Sequence, residues 1–417
     1  MRRKGMGVEA FIVNELQDDI QIESNTIRCR LVNDHLVGSR PELTVIEGGK
    51  KENYGEILIR LINTVDEIRE FVHFSHSIYK DDWYWPGQDD EEEMAYFLPE
   101  KNVTIRYLDT QLFVAERNNQ IVGRIAACIN PAYNDLWNQK VGFIGFFECI
   151  DDQKVANKLF DSAIQWIKNK GMKEVYGPFN LTSNDVVGIM IKGFNRVPTC
   201  ALPYNPEYYQ KLFENYGFEK IRDTYELKTN IINFLTACDK KKKMIQHLLD
   251  NPDITVRPLN RDNFEEEVSK IRKVFNISFA SHWGFCPVAE DEFLEMMKYY
   301  CYNYIPEDLF LIVEDKGKIV GFAFFNVDYN QKKHAKRHGY EGKITHVKEY
   351  IVGVLPEYQK KGFGKLLIIS LGEQLKNHDF TEVSVSWIVE DNVKSLGLFR
   401  GLGFEDYSLF RVYRKQI

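Results

Sequence analysis

The sequence predicts an α/β chain built from two copies of one folding unit. Three observations carry that reading. At 417 residues the chain exceeds what one hydrophobic core usually supports, so two domains are expected. A strand–turn–strand signal occurs twice: Leu112-Phe113-Val114 with Ile121-Val122-Gly123, and Leu309-Phe310-Leu311 with Ile319-Val320-Gly321. The offset is 197 residues from Leu112 to Leu309 and 198 from Gly123 to Gly321. Phe213-x-x-x-Gly217-Phe218 is likewise echoed 186 residues later by Phe399-x-x-x-Gly403-Phe404.

Each copy then reads in one order. A first strand (56–62; 255–258) precedes two helices (near 66–79 and 91–97; near 264–279 and 289–300). The hairpin follows, then a buried strand (141–149; 346–354) and a long helix (153–170; 364–378). A further strand (174–176; 382–387), a short helix and a last strand pair complete the copy. The expected domains are an extension over 1–51, a first copy over 52–228, a linker helix over 229–253 and a second copy over 254–417. The extension has weak periodicity, reads as a strand or two, and ends in Glu47-Gly48-Gly49-Lys50-Lys51, a flexible joint. The linker carries Lys240-Lys241-Lys242-Lys243, either a solvated helix face or a functional basic patch.

Composition narrows the function classes. The chain has 54 basic and 61 acidic residues, net −7, which speaks against a nucleic-acid binder, although net charge does not report a local groove. Seven cysteines, odd in number and without a Cys-x-x-Cys pair, fit neither a disulfide framework nor a zinc site, and read as reduced, mostly buried thiols. Met1-Arg2-Arg3-Lys4 is basic, but no apolar stretch of signal-peptide or membrane-span length follows. The expectation is a cytoplasmic protein with no membrane partner.

The motif that carries chemistry lies in the second copy. The strand ending at Val354 runs into Gln359-x-x-Gly362-x-Gly364 and an apolar helix. Two glycines let backbone N–H groups close around an anion, and the helix start aims its positive dipole end at the same point. Downstream stands Asn392-x-x-Ser395-x-x-Leu398-Phe399-x-x-x-Gly403-Phe404. Together these motifs resemble the GNAT superfamily of N-acyltransferases, specifically over about 250–417 and more loosely over 52–230. The resemblance implies two lobes, each a mixed, mostly antiparallel twisted sheet flanked by helices.

It also implies a cofactor cleft. Backbone of the strand at Val352 and Val354 would pair with pantetheine, and one N–H there would face the thioester oxygen. The N–H groups of Gln359, Lys360, Lys361, Gly362, Phe363, Gly364 and Lys365 would hold the pyrophosphate, with the three lysines adding charge. Asn392 and Ser395 would meet the pantetheine arm. Family members often use a Glu on this strand as general base, or a water positioned by it. Glu349 is the candidate, with a salt-bridged surface Glu as the alternative. Many members carry Tyr four residues before the Gly-Phe corner as general acid; here that position is Phe399, so Tyr407 or Tyr413 substitutes, or solvent protonates the thiolate.

The first copy departs from the pattern. Ile150-Asp151-Asp152 stands where the glycine pair would be, and two carboxylates repel pyrophosphate while suiting a helix N-cap. Its long segment over 177–206 reads as a substrate-binding loop at the lobe interface or as a packed one. The aromatic clusters Trp83-Tyr84-Trp85-Pro86 and Trp283-Gly284-Phe285-Cys286-Pro287 wall an acceptor pocket or pack the lobes together. His282-x-x-x-Cys286 and His334-x-x-x-His338 lack the further ligands a metal site needs, and no metal is expected.

The expected activity is transfer of an acetyl or other short acyl group from acetyl-CoA or a related acyl-CoA to a small-molecule amine or amino-acid-like acceptor, by direct attack in a ternary complex. The alternatives are a long-chain acyl or aminoacyl-tRNA donor on the same fold, or a non-catalytic acyl-CoA sensor.

Overall fold

The computed structural model describes residues 55–417. The expected extension over 1–51 therefore lies outside the described residues. In chain order the first lobe runs β1 (Leu58–Ile62), α1 (Val65–His73), α2 (Ser75–Ile78), α3 (Asp90–Ala95), β2 (Asp109–Arg117) and β3 (Gln120–Ile129). It continues with α4 (Pro131–Trp137), β4 (Val141–Cys149), α5 (Gln153–Asn169), β5 (Glu174–Gly177), β6 (Ile189–Lys192), α6 (Tyr209–Tyr216) and β7 (Glu219–Asn230). Two short linker helices follow, α7 (Ile231–Lys241) and α8 (Gln246–Leu249). The second lobe runs β8 (Ile254–Pro258), α9 (Phe264–Phe279), α10 (Glu290–Asn303), β9 (Phe310–Asp315), β10 (Lys318–Val327) and α11 (Asn330–His338). It ends with β11 (His346–Val354), α12 (Phe363–Leu375), β12 (Glu382–Val389), α13 (Val393–Arg400) and β13 (Glu405–Gln416).

The expected duplication is plain in this order, and each lobe is a mixed, mostly antiparallel sheet flanked by helices. The helices α4 and α11, between hairpin and buried strand, were not anticipated; Pro131 at the first turn and the Asn130 cap, which accepts from the Tyr133 N–H, start α4.

The lobes share one sheet. Its order is β1-β2-β3-β4-β5-β13-β7-β12-β11-β10-β9-β8, with β6 attached to β13. The last strands are exchanged: β13, from the end of the second lobe, pairs with β5 of the first, and β7, from the end of the first, pairs with β12 of the second. Side chains follow. Tyr413 of β13 is fully buried in the first lobe's core and stacks on Phe213 at 5.3 Å, while Leu227 of β7 is buried in the second lobe's core. A period-2 strand fits any edge that presents the right face, so nothing in the strand sequences named these partners.

Contacts beyond the sheet tie the lobes together. Arg337 of α11 donates to the carbonyls of Tyr79, Asp82 and Trp85, and His334 and His338 both hydrogen-bond the Trp83 carbonyl. The first aromatic cluster is thus inter-lobe packing, and the His334/His338 pair is spent on it. The six described cysteines are free and buried. No helix among the described residues is long and apolar enough to cross a membrane.

Candidate acyl-transfer cleft

The cleft originates in a parting of strands. β11 and β12 are parallel neighbours for four rungs only, from His346↔Glu382 to Glu349↔Val385. Beyond that, β11 keeps its partner β10 as far as Val354, and β12 stays with β7 as far as Val389. Bulges steer both arms. The β10–β11 register slips between Phe324 and Phe325, making Tyr350 the extra residue, and the β12–β7 register slips at Trp387, whose φ is +51°. The result is a fork whose β11 arm presents, at Val352 and Val354, an edge that no neighbouring strand covers. An extended arm with alternating amides can lie along such an edge.

Glu349 sits at the crotch of this fork, on the last shared rung. It is 6% exposed, and burial pushes its carboxyl up to about 8, with the neighbouring Lys348 ammonium pulling the other way. A carboxyl poised near neutrality is matched to proton transfer. Lys348 is itself buried, its pKa lowered by that burial, and it donates to the Cys200 carbonyl at 3.0 Å.

The anion end of the fork is built from backbone. After β11 a turn at Pro356–Tyr358 leads to Gln359, whose Nε2 donates to the Val354 carbonyl and folds the loop back. Lys360 (φ +62°) and Gly362 (φ +98°) are both left-handed and curl the chain around Lys361. No side chain caps α12, and its first intrahelical hydrogen bond is Leu366 N–H to the Gly362 carbonyl. The amides of Phe363, Gly364 and Lys365 therefore have no helical acceptor and face outward with the positive dipole end. A Cβ placed on Gly364 would meet nothing nearer than Val352, at 4.0 Å, so this side of the loop is open toward β11. Lys360, Lys361 and Lys365 line a depression of about 650 Å³ together with linker residues such as Met244 and Leu248. The donor set suits a pyrophosphate.

Asn392 and Ser395 stand just past the β12 arm of the fork, where the Asn392 side chain accepts from the Ser395 N–H as the cap of α13. The remaining expected site residues fall elsewhere. Tyr407 lies on β13 between the Arg196 guanidinium and the Lys228 ammonium, 4.3 and 4.6 Å from its ring. With β7 and β12 between β13 and the fork, Tyr407 is not brought to Glu349. Tyr413 is in the first lobe's core. Phe399 is buried against Phe404.

On the lobe-facing side of the fork, Trp387 stacks on Trp283 at 6.1 Å and donates to the Val187 carbonyl of the first lobe at 3.3 Å. The segment over 177–206 is stapled beside it: Thr199 donates to Glu226, and the Cys200 N–H to Asp328. Ser384, His346 and Asp328 form a hydrogen-bonded chain with 2.9 Å steps. That order is the one a hydrolase triad uses, but all three are at most 4% exposed, so no substrate reaches Ser384 Oγ and the chain acts as a packed staple. Neither Trp387 nor Lys348 was singled out in the sequence, because a bulge and a lobe contact give them their positions.

The first lobe's equivalent fork is closed. β4 and β5 share three rungs, to Phe143↔Tyr176. The chain after β5 then turns back onto β4, where Phe179 N–H donates to the Ile144 carbonyl and Phe146 N–H to Asn180 Oδ1. A Cβ on Gly145 would overlap the Phe179 carbonyl oxygen. Asp152 caps α5 through the Lys154 N–H and pairs with Arg117 at 2.7 Å, the capping role expected of it.

Residues 269–404 match the family model described as Acetyltransferase (GNAT) family. The second lobe is a GNAT domain. The whole chain is 29% identical over 383 residues to Protein YghO of Escherichia coli (strain K12), covering 86% of this chain and 95% of that protein. It is 24% identical over 374 residues to Bacterial ceramide synthase of Caulobacter vibrioides (strain NA1000 / CB15N), covering 85% and 96%. Among solved structures it shares the fold of a tandem GNAT protein from the clavulanic acid biosynthesis pathway. The TM-score is 0.52 at 10% identity, covering 87% of this chain and 98% of that one.

Proposed function

We propose that this tandem GNAT protein transfers an acyl group from an acyl-CoA thioester to an amine acceptor, by direct attack in the fork between β11 and β12. The observation that carries the reading is the fork itself: an uncovered strand edge at one end of an uncapped helix start, with a buried carboxyl at its crotch. Pantetheine extends the β11 edge at Val352 and Val354, and a β11 N–H at the bulge polarises the thioester carbonyl. The pyrophosphate rests on the amides from Gln359 to Lys365. Glu349 takes a proton from the acceptor ammonium, freeing the amine to attack. The C–N bond forms, the C–S bond breaks, the nitrogen gives up its second proton to solvent, and CoA leaves as a thiolate that solvent protonates. Trp283, Trp387 and the Val187 region of the first lobe form the acceptor's wall. One acyl-CoA binds per chain, in the second lobe.

The acyl group and acceptor are open to a more specific reading. A ceramide is the amide of a fatty acid with a long-chain amino alcohol, so the relative named for that activity favours a fatty acyl donor and a lipid-like amine over the acetyl group and small acceptor expected from the motifs. Thiol release measured with acyl-CoAs from two to eighteen carbons against long-chain and short amino alcohols tests this. Turnover rising with chain length supports the fatty acyl reading, turnover confined to acetyl-CoA restores the short one, and binding without turnover of any pair leaves a sensor.

A further inference from the structure

The tetralysine run of the linker lies alongside α12, and Met244, just after it, borders the anion loop. Phe234, Cys238, Ile245 and Leu248 are buried in the second lobe's core, and α7 lies along α12. That packing leaves Lys240 and Lys243 exposed and Lys241 half-exposed. The run meets the loop through Met244. The depression lined by Lys360, Lys361 and Lys365 is also lined by Met244, which is 54% exposed, and Lys241 Nζ reaches within 3.9 Å of the Cβ position of Gly401, just past α13. Nearby carboxylates are already engaged: Glu373 pairs with Lys242 and Lys376, and Asp239 with Lys376. Lys240, Lys241 and Lys243 are in no ion pair among the described residues.

This is a cationic face on a molecule of net charge −7, with an exposed methionine in its midst. In the acyl-transfer reading the loop amides and the three loop lysines hold the pyrophosphate, and none of the linker lysines lines that depression. Charge complementarity points to a larger acidic partner. We propose that the surface of α7, α8 and the turn between them docks an acidic acyl carrier protein, whose phosphopantetheine arm enters the fork as CoA's does. The inference rests on the acyl-transfer reading for what the arm delivers, not for the docking itself. The transfer balances as it does with CoA. The carrier's thioester C–S bond breaks, an amide C–N bond forms, the acceptor ammonium loses two protons in all, and the carrier leaves as its thiol after taking one of them.

The test uses the full chain and a fluorescently labelled type II acyl carrier protein in its phosphopantetheinylated, non-acylated form. Association should be measurable at micromolar concentration in low salt and fall steeply with ionic strength. The combined Lys240→Glu, Lys241→Glu, Lys243→Glu variant should weaken it by about tenfold or more, as reversal of a steering patch does. The same variant should raise KM for the palmitoyl carrier by a similar factor and leave its melting temperature and its turnover of palmitoyl-CoA unchanged. No association of the wild-type chain, or association that the variant leaves intact, overturns the proposal. So does an equal loss with both donors, which would assign the lysines to CoA, or preferential binding of tRNA. If palmitoyl-CoA is not turned over at all, the acyl-transfer reading fails, while the association measurement still decides the docking.

Discussion

The two forks of the shared sheet start alike and end differently. In each, a parallel pair holds for three or four rungs and then parts at a bulge, at Phe146 in β4 and Tyr350 in β11. In the first lobe the gap is filled by the chain's own Phe179 and Asn180, and the following helix is capped by Asp152. In the second the gap stays open and the helix start has no cap. The site proposed here is a place where the fold leaves its own backbone amides unsatisfied. The degenerate copy satisfies its own, and so it has become structure.

The difference extends to the buried carboxylates. Glu148 of β4 is pushed up to about 7 by burial, but it is held by the hydroxyls of Tyr209 at 2.6 Å and Tyr79 at 3.0 Å. Glu349, pushed up to about 8, has Lys348 as its opposing influence. The first is a cross-link between elements; the second is the group we propose for proton transfer.

Four substitutions would break or sharpen this contrast. The largest effect is expected from Gly364→Glu, which places a charged side chain on the open side of the loop, toward β11, where an anion must approach. Acyl-CoA affinity should fall by about a thousandfold or more in calorimetry, since several kcal/mol of like-charge repulsion oppose binding. Retained affinity would remove the open fork from the argument.

Glu349→Gln should lower turnover by about 10²-fold or more with acyl-CoA affinity unchanged, because it deletes proton acceptance and not binding. The wild-type rate should climb with pH to near 8, and that limb should be absent in the variant. Stability should move oppositely. A carboxyl whose folded pKa is raised above its unfolded value holds its proton longer when folded, so the unfolded state binds fewer protons between about pH 4.5 and 8 and stability falls across that window. The variant should therefore melt higher than wild type at pH 8, and the gain should shrink at pH 5. Equal melting curves at both pH values would place Glu349 in water.

Glu148→Ala should instead destabilise the chain, by about 2–4 kcal/mol, since two tyrosine hydroxyls lose a buried acceptor. Acyl-CoA affinity should not change, and a large loss would mean the forks are coupled. The smallest effect belongs to Asp152→Ala. Losing the cap should cost about 1 kcal/mol in denaturant unfolding, and calorimetry should still find one acyl-CoA site. A second site would show that charge alone, and not Phe179 and Asn180, closes the first fork.

Much of this was legible from residue order. The internal offset near 197, the period-2 runs and the Gly362/Gly364 corner announce a duplicated α/β unit with one intact anion loop, because those features are local and each is set by a few consecutive dihedrals or side-chain alternations. The strand over 346–354 and the helix over 264–279 have the same bounds in the structure. Asp152 was legible as a cap for the same reason.

Tertiary structure alone decided the rest. The exchange of β7 and β13 makes each lobe's core depend on the other's chain, so the second lobe without residues 219–230 would expose the β12 edge. The same exchange carries Tyr413 into the first core and leaves Tyr407 two strands from the fork. The lysine run over 240–243 reads from sequence as a solvated face or a basic patch, and only the packing of α7 along α12 sets where it lies. The chain's local chemistry determined that one copy can cradle an anion; which strands, lysines and tryptophans surround it was decided by long-range pairing, whose geometry no short stretch of sequence encodes.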